Sequence, residues 1–369
     1  MDDGALGFRT GTSPSLPFTP EIEALTAPVW EKVQSRVTPF EWRAYAPLIA
    51  EINRLKREKN AVILAHNYMT PEIFHGVGDY VGDSLGLARE AARSDAAVIV
   101  QAGVHFMAET SKVLCPDKRV LIPNPLAGCS LASSITAADV RMIKARYPGV
   151  PVVTYVNTTA EVKAETDICC TSANAVQVVE AAAAEWGVDR CILIPDEFLA
   201  RNVARQTEVK IIAWAGRCEV HERFTAEDIR ELRAAYPGAE ILAHPECPPE
   251  VIEASDFTGS TAAFTDYIAK RRPAQVVLIT ECSMASNVQA DSPETQFIGP
   301  CNLCPHMKRI TLQNIWEALV YDRYEVTVDP AVSERAARAV QRMIDLPPPA
   351  QPARYDLVKA RHHVDVELI

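Results

Sequence analysis

Short unbroken apolar runs recur along the chain, separated by longer segments whose apolar residues fall three or four apart. The runs at 61–66, 96–101, 152–155, 191–195, 241–244 and 275–280 lack the in–out alternation of a half-exposed strand. They suit strands of a parallel sheet covered by helices on both faces. Helices are predicted over 47–59, 85–93, 173–185 and 262–270. Strand and helix patterns alternate throughout, so the predicted class is α/β, built from short parallel sheets.

The pattern also repeats. The stretch from Thr136 to Gly149 returns from Thr225 to Gly238, 89 residues later, with eight of fourteen positions identical. Thr136 and Thr225 are N-cap candidates, and Asp139 and Asp228 sit where an acidic side chain completes a capping box. Tyr-Pro-Gly closes both helices. His66, Tyr155 and His244 are 89 apart, and each ends an apolar run. Ser84, Ser172 and Ser260 are 88 apart, each just before a predicted helix. Self-similarity at a period this long suits three copies of a small α/β unit. Three homologous α/β/α sandwich units in a pseudo-threefold arrangement around a central site are therefore expected. The divisions are an arm (1–45), units at 46–135, 136–224 and 225–312, and C-terminal helices with a tail (313–369). The first 40 residues, rich in proline, threonine and serine, suggest a loosely packed arm. The tail from Leu346, opening on three prolines, reads as a wrapping segment or a disordered end.

Charge narrows the function. With 37 basic and 48 acidic side chains the chain carries a net charge of −11, against general nucleic-acid binding. No apolar stretch reaches membrane-spanning length, and the N-terminus lacks the basic flank of a signal peptide, so a cytoplasmic protein with no membrane partner is expected. Ten cysteines are then a poor disulfide framework. Cys115, Cys169, Cys170, Cys191, Cys247 and Cys282 are expected to be buried.

Cys129, Cys218 and Cys304 stand apart, at steps of 89 and 86. Each lies just past an apolar strand and a glycine-containing loop, so three equivalent thiols can meet in one cavity. Cys301 and Cys304 form the sole Cys-x-x-Cys, which disfavours a four-cysteine zinc site and leaves a thiol–disulfide switch open. Three thiolates from three units fit an iron–sulfur cluster with one iron free of protein ligands, a Lewis acid for a substrate oxygen. The glycines at 76, 78 and 82 have the wrong final spacing for a dinucleotide loop.

With these residues assembled, the chain resembles the quinolinate synthase family. The matching motifs run in order from Ala65-His66-Asn67-Tyr68 and Gly82-Asp83-Ser84 through Gly128-Cys129-Ser130, Thr154-Tyr155-Val156-Asn157-Thr158, Thr171-Ser172-Ala173-Asn174 and Gly216-Arg217-Cys218. They continue through His244-Pro245-Glu246, Gly259-Ser260-Thr261 and Cys304-Pro305-His306-Met307. The resemblance implies a [4Fe–4S] cluster, one per chain, on Cys129, Cys218 and Cys304, with Cys301 a neighbour. It implies condensation of iminoaspartate with dihydroxyacetone phosphate to quinolinate for NAD synthesis, with iminoaspartate supplied by an aspartate-oxidising enzyme. His66, Tyr68, His244 and Glu246 are then the expected acid–base set. Substrate contacts are expected from His66, Ser84, Tyr155, Val156, Asn157, Ser172, His244, Pro245, Glu246, Ser260 and Thr261. Helix starts carry free N–H groups and a positive dipole end, which suits anionic substrates. His221 is expected to orient the Cys218 loop. His75, His105 and His306 are given no role. Two alternatives remain, an aconitase-like iron–sulfur hydro-lyase on another small acid and a non-catalytic iron–sulfur sensor.

Overall fold

The computed structural model describes residues 16–347 and 366–369. Three parallel sheets share one strand order. The first holds β1 (Ala61–His66), β2 (Tyr80–Gly82), β3 (Val98–Ala102) and β4 (Arg119–Leu121) in the order β2-β1-β3-β4. The second repeats it as β6-β5-β7-β8, from β5 (Val152–Tyr155), β6 (Ile168–Cys170), β7 (Arg190–Ile194) and β8 (Lys210–Ala213). The third is β10-β9-β11-β12, from β9 (Glu240–Ala243), β10 (Phe257–Thr258), β11 (Gln275–Ile279) and β12 (Gln296–Ile298). The central strands are buried almost throughout, as unbroken apolar runs require.

One device is built three times. Asp79, Asp167 and Asp256 each lie just ahead of a sheet's second strand. Each accepts the first backbone N–H beyond reach of the ladder, from Ile63, Val152 and Ile241, at 2.8, 2.8 and 2.9 Å. The other carboxylate oxygen pairs with a cation on the helix that feeds the sheet: Lys56 at 2.8 Å, Lys144 at 3.2 Å and Arg233 at 3.1 Å. Each aspartate thus ties helix, first strand and second strand of its unit together. The capping boxes Thr136/Asp139 and Thr225/Asp228 are both formed, with two more at Thr38/Glu41 and Thr311/Asn314.

The arm differs from expectation. A helix covers Pro20–Val33, and the helix expected from residue 47 begins at Pro39. The Thr38 box and a proline in its first turn start it, and the chain runs on through Pro47 despite the lost hydrogen bond. Thr26, Val33, Val37 and Trp42 are buried, so from Pro20 onward the segment is packed core rather than a loose arm, while residues 1–15 lie outside the described residues. At the other end the tail falls partly outside the described residues. Its final residues form β13 (Glu367–Leu368), which pairs parallel with β8, and the Ile369 N–H donates to Ala213 O at 2.9 Å. Tyr324 and Val326 similarly exchange backbone bonds with the β4 edge.

Removing a clip should cost more than removing its cation. Asp167→Ala leaves the buried Val152 N–H without a partner and should lower unfolding stability by about 1–3 kcal/mol. Lys144→Met breaks a half-exposed ion pair and should cost less than about 1 kcal/mol. Chemical denaturation of the two variants measures the difference; equal losses would mean the ion pair, not the capped N–H, is what matters.

Candidate active site

The C-terminal ends of the three sheets open on one cavity lined by residues from all three units. Strand ends supply His66, Tyr155 and, one residue past β9, His244. The fourth strands lead into the loops of Cys129, Cys218 and Cys304, and all three cysteines face the cavity half-buried. Burial pushes the Cys129 thiol up to about 12 and raises Cys218 and Cys304 as well.

Glu246 is the hub. Its carboxylate, 3% exposed, accepts the Tyr155 hydroxyl and the Asn157 amide (3.4 Å) on one oxygen. The other oxygen lies 2.7 Å from His221 Nδ1. The far nitrogen of His221 meets Thr280 Oγ1 at 2.9 Å, and Thr280 meets the Tyr68 hydroxyl at 2.6 Å. A continuous hydrogen-bonded chain therefore joins Tyr155, Glu246, His221, Thr280 and Tyr68. His221 also lies 3.2 Å from the Cys218 sulfur and stacks on His244 at 4.6 Å. His244 Nε2 faces Ser172 Oγ at 3.4 Å.

Burial largely sets the charges here. It is the largest single influence on Glu246 and works against ionisation. The His221 and His244 imidazoles facing it and the bonds from His221 and Tyr155 outweigh it, holding the carboxyl below the usual carboxylate range. Nearby Asp196 is pushed up by burial and then by the Glu246 charge, and keeps its proton. Burial lowers His66 to about 4 and His244 to about 3, leaving both rings neutral near pH 7. Tyr68 and Tyr155 are pushed up by burial and then by Glu246, and remain protonated.

Of the residues singled out from sequence, His66, Tyr68, Ser84, Tyr155, Asn157, Ser172, His244, Glu246 and Thr261 line the cavity. Val156, Pro245 and Ser260 do not; the carbonyls of Val156 and Pro245 are bound from behind by Lys163 and Asn202. The three serines are not equivalent caps. Asp83 caps the helix Ser84–Arg93 through Gly86 N, and Asn174 occupies the cap position before Ala175–Trp186. Ser260 alone caps its helix, Thr261–Arg271, and Thr261 faces the cavity in its place.

Thr280 and Glu281 were missed by sequence reasoning, although both follow β11, at the sheet end where the site lies. Glu281 is fully buried, pairs with Lys308 at 2.8 Å and accepts from Ser283 N. His306, also without an expected role, lines the cavity and pairs with Glu219 at 2.9 Å. Cys282 is a correction: it is only half-buried and forms a disulfide with Cys301, so Cys301 is bonded to Cys282 rather than to Cys304. Gly76 and Gly78 serve close packing, since a Cβ at Gly76 would sit 2.3 Å from Glu72 O and one at Gly78 3.0 Å from the Val81 side chain, whereas Gly82 has open space around it. Cys218, His221 and Glu246 place ligand atoms within 4.8 Å of one another, near enough to hold a single metal ion.

The family profile of the quinolinate synthetase A protein matches residues 50–345, which contain every one of these groups. The chain belongs to that family. A quinolinate synthase of Caulobacter vibrioides is 81% identical over 352 residues, covering 95% of this chain and 96% of that one. Quinolinate synthases of Sinorhizobium fredii (60%; 90% and 92% covered) and Agrobacterium fabrum (60%; 87% and 92% covered) also align nearly end to end. Among solved structures, a D-2-hydroxyisocaproate dehydrogenase overlaps 73% of this chain and 83% of its own at 10% identity. Its TM-score of 0.16 is too low to bear on the fold.

The neutral histidines give this quinolinate synthetase family member a definite acid response. Both have folded-state values below the usual 6.5, so beneath pH 6.5 the unfolded chain binds more protons. Their contribution is complete above about pH 6.5 and is lost progressively as pH falls towards 4. Each should contribute a loss of about 2 kcal/mol by about pH 5. Denaturant unfolding at several pH values should show a shallower slope for His66→Asn than for the native chain; an unchanged slope would contradict burial of a neutral ring.

Proposed function

We propose that the chain is a quinolinate synthase, an enzyme of the transferase class that condenses iminoaspartate with dihydroxyacetone phosphate and releases phosphate and water. One observation carries the reading. Three equivalent cysteine loops and the chain from Tyr155 to Tyr68 open on the same cavity, in a family whose named relatives align end to end.

The donor set fits a [4Fe–4S] cluster. It comprises three soft thiols, one from each unit, with no fourth cysteine lining the cavity among the described residues. Cys129, Cys218 and Cys304 would hold it, and it would supply an iron free of protein ligands as a Lewis acid. Because burial raises the thiols, loading must release their protons and should weaken as pH falls.

The chain's own groups divide the remaining work. Helix starts at Ser84 and Thr261, with Ser172, Tyr155 and Asn157, hold the carboxylate and phosphate oxygens. The buried Asn157 Oδ1 has no partner within the protein and is a place for a substrate donor. Neutral His66 and His244 each keep a lone pair able to accept a proton from carbon or water. Protonated Tyr68 can donate one to a leaving oxygen. Glu246, held ionised, is too weak a base to take protons from carbon; it orients Tyr155 and His221. Iminoaspartate would be supplied by an aspartate-oxidising enzyme, since an imine of this kind hydrolyses in water. No helix among the described residues is long and apolar enough to cross a membrane.

Anaerobically purified protein should contain about four irons and four sulfides per chain. Cys129, Cys218 and Cys304 variants to alanine should lose both, and Cys301→Ala should keep them. A single metal without sulfide would favour the Cys218–His221–Glu246 site instead. Cluster-loaded protein with iminoaspartate and dihydroxyacetone phosphate should yield quinolinate, and no product would overturn the assignment. Thr280→Val, which interrupts the chain to Tyr68, should lower kcat by about 10²-fold with little change in KM.

A further inference from the structure

The cavity is to receive a dicarboxylate and a phosphate ester, yet no lysine or arginine among the described residues lines it. Two cations lie directly behind its wall, Lys308, which donates to Tyr68 O at 2.7 Å, and Lys163. Lys163, on the short helix Ala160–Ala164, has no solvent exposure at all. Its ammonium donates to Val156 O at 2.8 Å and to Thr158 O, the two carbonyls that flank Asn157. It also lies over the ring of Phe106, 5.4 Å from the centroid, and Phe106 is itself part of the cavity wall.

Lys163 is unlike the other enclosed lysines. Lys56 sits on Asp79 and Lys308 on Glu281, both at 2.8 Å. Lys163 has no carboxylate within 4 Å among the described residues. Glu109 is nearby, but its Oε2 accepts Ala160 N and its Oε1 lies 3.4 Å from His105. A buried cation without an anion is costly, and burial accordingly lowers its proton affinity. Two carbonyls and a ring face meet it only in part.

The position accounts for the cost. By drawing the Val156 and Thr158 carbonyls to itself, Lys163 turns two acceptors away from the cavity, where they would repel a carboxylate. The same bonds fix the segment that aims Tyr155 and Asn157 inward. In a region of low dielectric, a charge one residue behind the wall acts on a ligand almost unscreened.

We propose that Lys163 is a positioning residue for the dicarboxylate substrate: it holds the Val156–Thr158 turn and supplies the buried positive charge that a carboxylate on Tyr155 and Asn157 completes. This rests on the reading that the Tyr155–Asn157 segment contacts the substrate carboxylates.

The test measures binding rather than turnover. Cluster-loaded Lys163→Met, Lys163→Gln and Lys163→Arg are titrated anaerobically with quinolinate and with picolinate, which lacks one carboxylate. Lys163→Gln can still donate to a carbonyl but is uncharged. The methionine and glutamine variants should bind quinolinate about 10- to 100-fold more weakly. They should bind picolinate nearly as the native protein does, with iron and sulfide content and KM for dihydroxyacetone phosphate within about threefold. Lys163→Arg should retain the preference for the dicarboxylate. Folded, loaded methionine and glutamine variants with native quinolinate affinity would overturn the proposal. Asn157→Ala separates the two readings: if it also leaves affinity unchanged, the assignment of that segment to the carboxylates fails. If Asn157→Ala binds weakly and the Lys163 variants do not, the role of Lys163 alone fails. Should no uncharged variant fold, the native protein decides. Its quinolinate affinity should change less than about threefold between about 0.05 and 0.5 M salt, because a buried charge is poorly screened. A steep fall would place the attracting charge at the surface and overturn the proposal.

Discussion

A carboxylate removed from water must be met by donors on every side, and Glu246 is removed almost completely. That requirement fixes much of the site. Tyr155 and Asn157 come to it from the second sheet, and His221 comes from the loop after Cys218. Through Thr280 of the third sheet the hydrogen bonding reaches Tyr68 of the first. One buried negative charge thus holds three units in register at their meeting point. It also favours protonated tyrosines, and it lies one histidine away from a cysteine sulfur.

The threefold repeat explains why a single charge can do this. Three sheets of identical strand order deliver their ends to one cavity, each tied to its helix by the same aspartate. What the units share is scaffold: strand order, clip, and a cysteine after the fourth strand. What differs is the chemistry at equivalent strand ends, with histidine, tyrosine and histidine at 66, 155 and 244. Equivalent placement with unlike side chains suits two unlike substrates that meet in one fixed orientation.

Much of this was legible in the chain itself. The unbroken apolar runs marked the central strands within one or two residues, and the 89-residue steps located the strand ends, with steps of 89 and 86 for the cysteines. The aspartate clips recur at nearly the same spacing, at 79, 167 and 256, but drew no notice in sequence because their partners are backbone N–H groups and helix cations that no local pattern joins. Thr280 and Lys163 were hidden for a related reason. A threonine after a strand and a lysine in a short helix are ordinary in sequence, and only the tertiary fold shows the first in a hydrogen-bonded relay and the second without an anion. The serine triplet misled in the opposite sense. Equal spacing suggested equal roles, whereas one-residue shifts at the helix starts gave capping to Asp83 in the first unit and to Ser260 in the third. Pro20–Val33 was obscured by composition: prolines at helix starts resemble those of a loose arm.

The strand Glu367–Leu368 bears on how a sheet of this kind remains solitary. An outer strand presents a row of free N–H and carbonyl groups, a template on which another chain can assemble. By lying along Lys210–Ala213, the final residues occupy that template, as Tyr324 and Val326 do for Arg119–Leu121. Two of the three sheets are thus closed at this edge by distant segments of their own chain, which guard against edge-to-edge aggregation where the strands lead into the loops of Cys129 and Cys218.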